Sequence, residues 1–261
     1  MKYKIYQVDS FSNSIFAGNP ACVVPLSKWL SDSMLLNIAK ENAVAETAFF
    51  IDHGDYIHLR WFTPDLEIDL CGHATLAVAH VLKSELSYNK KKIKFKTQSG
   101  ELIVFHENDF YYLDFPSRKP KLCELPTEIA LALNIQPQEV YRSRDYMLVY
   151  KNQQEVEAID VNQVFFNKIN LGCGGVIVTA KGDSVDFVSR FFTPQATILE
   201  DPVTGSAHCS LIPFWAERLS KIELNATQLS ERGGSLICKD NADRVLIGGQ
   251  AVTYSKGDFL V

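Results

Sequence analysis

One carboxylate of the chain stands in surroundings that are unusual for a charged group. Glu46 lies in NAVAETAFF, between alanines and just ahead of two phenylalanines. An ionised carboxylate among apolar side chains is unstable unless it finds a partner or its pKa rises, and a raised carboxyl pKa suits proton transfer. We therefore expect Glu46 to move a proton on a substrate. The alternative is an exposed glutamate at the end of a strand or helix.

A second acid, Asp201, lies in LEDPVTGSAHCSL, just before a glycine turn that predicts the start of an apolar helix. Backbone N–H groups at a helix start, together with the helix dipole, favour a negative charge nearby. We expect Asp201, close to Gly205 and Ser206, to stay ionised or hydrogen-bonded while Glu46 cycles its proton. An ordinary helix entrance is the alternative, because Asp, Ser and Gly are common there for backbone reasons alone.

An internal repeat connects these two regions. HLRWFTPDLEIDLCGHATLAVAHVL (58–82) is echoed by VSRFFTPQATILEDPVTGSAHCSLI (188–212), with the shared Phe-Thr-Pro 130 positions apart. Similar blocks align upstream and downstream, so the chain consists of two related halves. Alignment through Phe-Thr-Pro pairs Cys71 with Asp201, and alignment through the helix pairs Gly72 with Gly205 and His73 with Ser206. In the upstream block, Glu46 aligns with Gly174. A proton-carrying side chain before a helix-opening glycine in each half predicts a carboxylate site in a cleft between the halves.

Each half predicts short β-rich segments around one buried apolar helix, an α+β architecture. The central helices are expected at Gly72–Leu86 and Ser206–Leu219, the second kinked at Pro213. A further helix is expected over Ser31–Glu41, capped by Ser31 or Ser33. Residues 1–117 and 118–261 form the two predicted halves, and the last strand, about 251–261, is expected to pack back on the first half.

Composition narrows the classes of function. The chain has 261 residues and a net charge of −5, without a basic run that could follow a nucleic acid or an apolar run that could span a bilayer. No signal peptide is evident, so we expect a cytoplasmic protein with neither a nucleic-acid nor a membrane partner. The six cysteines are widely spaced and form no CxxC pair, which predicts reduced thiols and no metal site. They are Cys22, Cys71, Cys123, Cys173, Cys209 and Cys238.

Four blocks of the sequence, AGNPACVV, NAVAETAFF, RWFTPDLEIDLCGHAT and EDPVTGSAH, resemble those of the phenazine-biosynthesis PhzF-like family, in family order and spacing. The resemblance implies the diaminopimelate epimerase-like fold, two pseudo-symmetric α/β halves that each curve a mostly antiparallel sheet around a central helix. It also implies a homodimeric, cofactor-independent isomerase that acts on a small carboxylated metabolite. The family's catalytic acid/base matches Glu46, supported by His73 and Asp201. The implied substrate-binding positions are Gly72, Ala74, Thr75, Gly205, Ser206 and Asn19.

The sequence departs from related epimerases at one informative position. Those enzymes place a thiol before each central helix, whereas here only Cys71 remains and Asp201 stands at the second place. This favours a one-base proton shift, in which Glu46 removes a proton from one carbon and returns it elsewhere on the same face. Two alternatives stay open: an amino- or hydroxy-acid racemase or epimerase that uses Cys71 with Glu46 or Asp201, and a non-catalytic small-molecule binding protein.

Overall fold

The computed structural model describes residues 1–172 and 174–261, so the thiol prediction for Cys173 lies outside the described residues. The chain divides into two compact units. The N-terminal unit comprises Met1–Phe115 and Leu246–Val261, and the C-terminal unit comprises Pro116–Val245. Each unit is built mainly of β-strands with one buried central helix, and the predicted fold class is confirmed.

The N-terminal unit contains two helices and most of the early strands. Its strands are β1 (Lys2–Ser10), β2 (Asn19–Pro25), β3 (Glu46–Asp52), β4 (Ile57–Phe62), β5 (Glu67–Ile68), β6 (Lys92–Thr97), β7 (Gly100–Glu107), β8 (Phe110–Pro116) and β17 (Ala251–Leu260). Its helices are α1 (Asp32–Asn42) and α2 (Gly72–His80). The terminal strand β17 pairs antiparallel with β1 along its whole length.

The C-terminal unit follows the same plan with additional short helices. Its strands are β9 (Lys121–Leu122), β10 (Glu139–Arg142), β11 (Tyr146–Val149), β12 (Val176–Lys181), β13 (Phe187–Phe192), β14 (Glu223–Gln228) and β15 (Gly234–Asn241). The next strand, β16 (Arg244–Gly249), begins in this unit and ends in the N-terminal unit. Its helices are α3 (Thr127–Ala132), α4 (Gln153–Glu157), α5 (Gln163–Phe166) and α6 (His208–Leu219). The three short helices, α3 to α5, have no counterpart in the first half and were not predicted.

The pairing of strands repeats from one unit to the other. In the N-terminal unit β1 and β2 are antiparallel, β2 and β3 parallel, β3 and β4 antiparallel, β4 and β6 parallel, and β6 and β7 antiparallel. The pairs β10/β11, β11/β12, β12/β13, β13/β14 and β14/β15 have the same directions in the same order. The sequence repeat therefore encodes a repeated supersecondary structure.

The register of the strands corrects one pair of the sequence alignment, that of Glu46 with Gly174. Thr47 lies opposite Phe62 in β3/β4, and Val176 lies opposite Phe192 in β12/β13. The shared Phe-Thr-Pro makes Phe62 and Phe192 equivalent, so the counterpart of Glu46 is Gly175 and not the predicted Gly174. A side chain at Gly175 would be blocked, because an added Cβ would lie 2.4 Å from the Phe191 ring. The sequence alignment was off by one because the loop between the two strands differs in length between the units.

The central helices begin close to the predicted positions but differ in detail. Residues Gly72 to Ala79 of α2 are all buried. The predicted single helix Gly72–Leu86 instead changes to a π-helical turn at Val81–Glu85, where Leu86 N–H donates to the Val81 carbonyl. Apolar periodicity cannot predict this change, since it does not reveal which carbonyl a given N–H bonds.

The second central helix also starts differently from the prediction. A 3₁₀ turn over Gly205–Ala207 precedes α6, which contains Pro213. In α1 the N-cap is Ser31, one of the two predicted candidates, and its hydroxyl accepts a hydrogen bond from Met34 N–H. No helix in residues 1–172 or 174–261 is long and apolar enough to cross a membrane.

Candidate active site

Glu46 and His73 meet in the N-terminal unit. Glu46 is the first residue of β3, where it pairs with Ala21 of β2, and His73 is the second residue of α2. Glu46 Oε2 lies 2.9 Å from His73 Nε2; the Glu46 side chain is 15% exposed and that of His73 is 4% exposed. The carboxylate that the sequence places among apolar residues thus has an imidazole as its partner. This is one of the two ways in which an acid can be tolerated there.

The other imidazole nitrogen faces two groups that can donate hydrogen. His73 Nδ1 lies 3.1 Å from Asn19 Nδ2 and 3.6 Å from Cys71 Sγ. An amide NH₂ group can only donate, so Nδ1 of the neutral ring accepts this bond and the ring hydrogen is on Nε2. Whether His73 is neutral or protonated, Nε2 therefore carries a hydrogen, and this nitrogen is the one that lies close to Glu46.

The contact between Glu46 and His73 is an ion pair by distance, but it lacks the angle of an aligned hydrogen bond, and both contacting atoms are buried. Burial lowers the pKa of His73, whereas the Cys71 sulfur and the Glu46 carboxylate raise it, and the pKa ends well above its usual value. Burial and the charge of Glu46 raise the pKa of the Cys71 thiol. Cys71 is then a neutral thiol near pH 7, and Glu46 supplies the negative charge that favours protonation of His73.

The same three side chains carry atoms of the types that bind metal ions. A carboxylate oxygen of Glu46, the Cys71 sulfur and an imidazole nitrogen of His73 lie within 4.8 Å of one another. These are donor types found in zinc sites. The sequence predicts no metal, and that stays a prediction.

The remaining predicted residues of this half lie in the first turn of α2. Gly72, Ala74 and Thr75 are buried. The Thr75 hydroxyl donates to the Cys71 carbonyl, so it stabilises the helix start. Ser10 Oγ donates to the His73 carbonyl at 2.8 Å and fixes that residue's backbone.

Asp201, Gly205 and Ser206 lie in the C-terminal unit. The Thr204 hydroxyl donates a 2.6 Å hydrogen bond to Asp201 Oδ2. Ser206 Oγ accepts from the Arg144 guanidinium at 2.9 Å, and that guanidinium also pairs with the buried Asp145 carboxylate. Gly205 begins the 3₁₀ turn that leads into α6.

Sequence reasoning missed several residues of this second cluster. Thr204 follows Asp201 by three positions, and its spacing is the signal that could have predicted a side-chain bond within a turn. Arg144 lies 62 positions before Ser206. No local pattern connects two residues so far apart, so only the folded chain reveals this contact.

Comparison with known proteins agrees with the architecture and the motifs. The family model described as "Phenazine biosynthesis-like protein" (PhzC-PhzF) matches residues 8–257. An uncharacterized isomerase of Pseudomonas aeruginosa is 46% identical over 258 residues, which cover 98% of each chain. The crystal structure of a phenazine biosynthesis protein of the PhzF family from Enterococcus faecalis has a TM-score of 0.95 at 47% identity, with both chains fully covered.

A more distant structural likeness concerns the fold alone. A hydroxyproline epimerase from Agrobacterium vitis, solved with bound trans-4-hydroxy-L-proline, has a TM-score of 0.62 at 9% identity and covers 98% of this chain and 92% of its own. The epimerase-like fold expected from the sequence is therefore present.

Proposed function

Because this chain belongs to the phenazine biosynthesis-like (PhzC-PhzF) family, we propose that it is a cofactor-independent isomerase that shifts a proton on a small carboxylate-bearing substrate. The observation that carries the proposal is the contact between Glu46 Oε2 and His73 Nε2 at 2.9 Å. A carboxylate that is buried enough to be shielded, yet 15% exposed, can exchange a proton with a bound molecule. His73 itself is too deeply buried for the same role.

The reaction that fits this pair uses one base. A carboxylate oxygen of Glu46 takes a proton from a carbon of the substrate, and the electron pair of that C–H bond moves into the adjacent unsaturated or carboxyl group. The protonated Glu46 then delivers the same proton to a second carbon on the same face, so no oxidant or reductant is needed. The Nε2 hydrogen of His73 stabilises the carboxylate before and after the transfer.

We further propose that residues of both units bind the same substrate. Asp201 would orient it, and the backbone N–H groups beside Gly72 and Gly205 would hold its carboxylate. Gly205→Val should then weaken substrate binding more than it weakens folding. An unchanged affinity in a well-folded Gly205→Val protein would contradict this part of the proposal. A homodimer, which the family resemblance implies, and a cytoplasmic location, which was expected from the sequence composition, stay predictions.

One observation favours a second candidate, an amino- or hydroxy-acid racemase or epimerase. Cys71 Sγ lies 3.6 Å from His73 Nδ1, while Glu46 Oε2 lies 2.9 Å from Nε2 of the same ring. A thiol and a carboxylate on opposite sides of a bound carbon could exchange its proton with inversion. The raised pKa of Cys71 counts against this reading, because the thiolate is the form that accepts a proton.

Solvent exchange separates these reactions. The purified protein is incubated in D₂O with a panel of small unsaturated, amino and hydroxy acids, and each acid is followed by proton NMR and mass spectrometry. A proton shift moves a double bond, with the substrate's own hydrogen partly retained at the new carbon. Racemisation replaces the α-hydrogen by deuterium and inverts the centre. An acid that stays bound without exchange or conversion would indicate a binding protein and would contradict the proposed isomerase.

A further inference from the structure

The segment that carries Asp201 is held by hydrogen bonds from a strand that lies beyond it in the sequence. Gln228, the last residue of β14, is fully buried, and its amide contacts both ends of the segment 201–204. Gln228 Oε1 accepts from Thr204 N–H at 2.8 Å. Gln228 Nε2 donates to the Asp201 carbonyl at 2.7 Å and to Thr204 Oγ1 at 3.3 Å.

These contacts set the direction of the Thr204 hydroxyl. Its oxygen accepts from Gln228 Nε2, so its own hydrogen points to Asp201 Oδ2, 2.6 Å away. Amide, hydroxyl and carboxylate thus form a chain in which each group donates to the next. A hydroxyl hydrogen bond of this kind stabilises the ionised form of the carboxylate and fixes its orientation.

Neighbouring residues hold the rest of the segment. Ser230 Oγ donates to the Pro202 carbonyl at 2.7 Å, and Asp201 N–H donates to the Phe191 carbonyl. His208 Nδ1 lies 2.9 Å from the Thr204 carbonyl. Burial lowers the pKa of His208 to about 4, so its ring is neutral near pH 7 and Nδ1 carries the hydrogen that this carbonyl accepts.

The position of Gln228 argues against an ordinary surface polar residue. In β14 the buried positions alternate with exposed or half-buried ones, and Gln228 shares the buried face with Leu224 and Ala226. A polar side chain on such a face costs stability unless it is hydrogen-bonded. The contacts of both amide atoms of Gln228 explain how it is accommodated there.

We infer that Gln228 is a positioning residue, which directs the Thr204 hydroxyl at Asp201 and thereby orients the Asp201 carboxylate towards the substrate. The inference rests on the proposed function, in which Asp201 contacts the substrate. Glutamine suits this place because one side chain must both accept from Thr204 N–H and donate to two oxygens. A glutamate has the same shape but, when ionised, no hydrogen to donate.

The first test needs no substrate. The side-chain carboxyl of Asp201 is followed by ¹³C NMR against pH in the wild type and in Thr204→Val, Gln228→Leu and Gln228→Glu. Losing the hydroxyl donor should raise the proton affinity of Asp201 about ten- to a hundredfold, since hydrogen bonds to charged groups contribute that much. Thr204→Val keeps the shape of the side chain, so it remains informative if a Gln228 variant fails to fold.

The matched controls are Thr204→Ser and Thr179→Val. Serine restores a hydroxyl and should restore the wild-type titration of Asp201. Thr179 is a buried threonine of the same unit, but its hydroxyl contacts Val188 and Trp215 instead of the 201–204 segment. Its replacement should reduce stability and leave the Asp201 titration unchanged.

The second test uses the isomerase assay once a substrate is in hand. Gln228→Glu should lower kcat/KM at neutral pH and recover relative to the wild type as the pH falls, because protonation of the new carboxyl returns one donor. Combining Gln228→Leu with Asp201→Asn should cost little more than Asp201→Asn alone. If Asp201→Asn lowers turnover while Gln228→Leu behaves like Thr179→Val in both tests, the inference is wrong and the proposed function stands. If Asp201→Asn has no effect, the proposed role of Asp201 is wrong.

Discussion

Replacing Glu46 by glutamine removes the proposed base while changing the shape of the site very little. The amide keeps an oxygen that can accept from His73 Nε2, but it cannot take up a proton and return it. We expect turnover to fall by roughly 10²- to 10⁴-fold, the usual contribution of general acid–base catalysis. This corresponds to about 2.7 to 5.5 kcal/mol of transition-state stabilisation.

The cost to stability should be much smaller. The side chains of Glu46 and His73 are 15% and 4% exposed, so the variant loses a shielded charge but keeps its packing. Exchanging the charged partner of His73 for a neutral group of the same shape costs about 1 kcal/mol, which in a chain of this size lowers Tm by about 2–4 °C. Such a change leaves the protein folded, and unfolding cannot explain a hundredfold loss of turnover.

The pH dependence of stability should also change. In the folded protein the pKa of His73 lies well above its usual value, because its contacts with the Cys71 sulfur and the Glu46 carboxylate outweigh the effect of burial. A raised pKa stabilises the folded state fully at pH values below about 6.5, and this contribution is lost as the pH rises through the folded pKa. The difference in unfolding free energy between wild type and Glu46→Gln should therefore be largest near pH 5.5 to 6 and shrink towards pH 9. Denaturant melts across this range measure it.

The matched control is Glu67→Gln. Glu67 is 19% exposed in the same unit and pairs with Arg60 at 2.6 Å, so its replacement also removes a partly buried carboxylate from an ion pair. Its turnover and deuterium exchange should remain close to wild type. A Glu46→Gln protein that melts normally and exchanges substrate hydrogen at the wild-type rate would refute the assignment of Glu46 as the base.

Three other predictions concern the thiol, the pH range and the core. Cys71→Ser should keep turnover within a few-fold of wild type in the D₂O assay, and its complete loss would favour the racemase. Burial lowers the pKa of His80 to about 4, so the free energy of unfolding should decline by up to about 3 kcal/mol as the pH falls from about 6.5 to 4. His80→Gln should flatten this decline in denaturant melts. An unchanged dependence of the unfolding free energy on pH would contradict the prediction. Gly249→Val should lower Tm and destabilise by at least about 1–3 kcal/mol, because an added Cβ would lie 2.3 Å from the Phe11 ring; a normal melting temperature would show that the core can rearrange.

Much of the fold could be predicted from the sequence because the repeat is visible in local patterns of apolar, turn and capping residues. Apolar periodicity placed the starts of the central helices close to Gly72 and Ser206, and Ser31 was one of the two serines predicted to cap α1. The π-helical turn at Val81–Glu85 was missed, since it depends on which carbonyls the helix end bonds. The counterpart of Glu46 was missed by one residue because strand register depends on the length of the loop between the strands.

The candidate site was predicted less completely. Residue types and surroundings identified Glu46, but its contact with His73 joins two elements that are 27 positions apart in the sequence. The contact of Gln228 with Thr204 spans 24 positions. Contacts of this kind arise from the pairing of strands and the packing of a helix on them, which one sequence does not specify. The alternation in ELNATQ did carry a signal, because it places Gln228 on the buried face of its strand.

Alignment of the two halves through Phe-Thr-Pro pairs a thiol with a carboxylate, and this bears on the reaction. Cys71 and Asp201 correspond in the repeat. Burial raises the pKa of the Cys71 thiol and keeps it neutral near pH 7, whereas Asp201 is a carboxylate whose Oδ2 accepts a 2.6 Å hydrogen bond from the Thr204 hydroxyl. A symmetric two-base racemase needs two groups that exchange the roles of acid and base on each turnover, so they should be poised alike. A neutral thiol and a hydrogen-bonded carboxylate are not poised alike, and this difference favours a proton shift in which Glu46 acts as the only base.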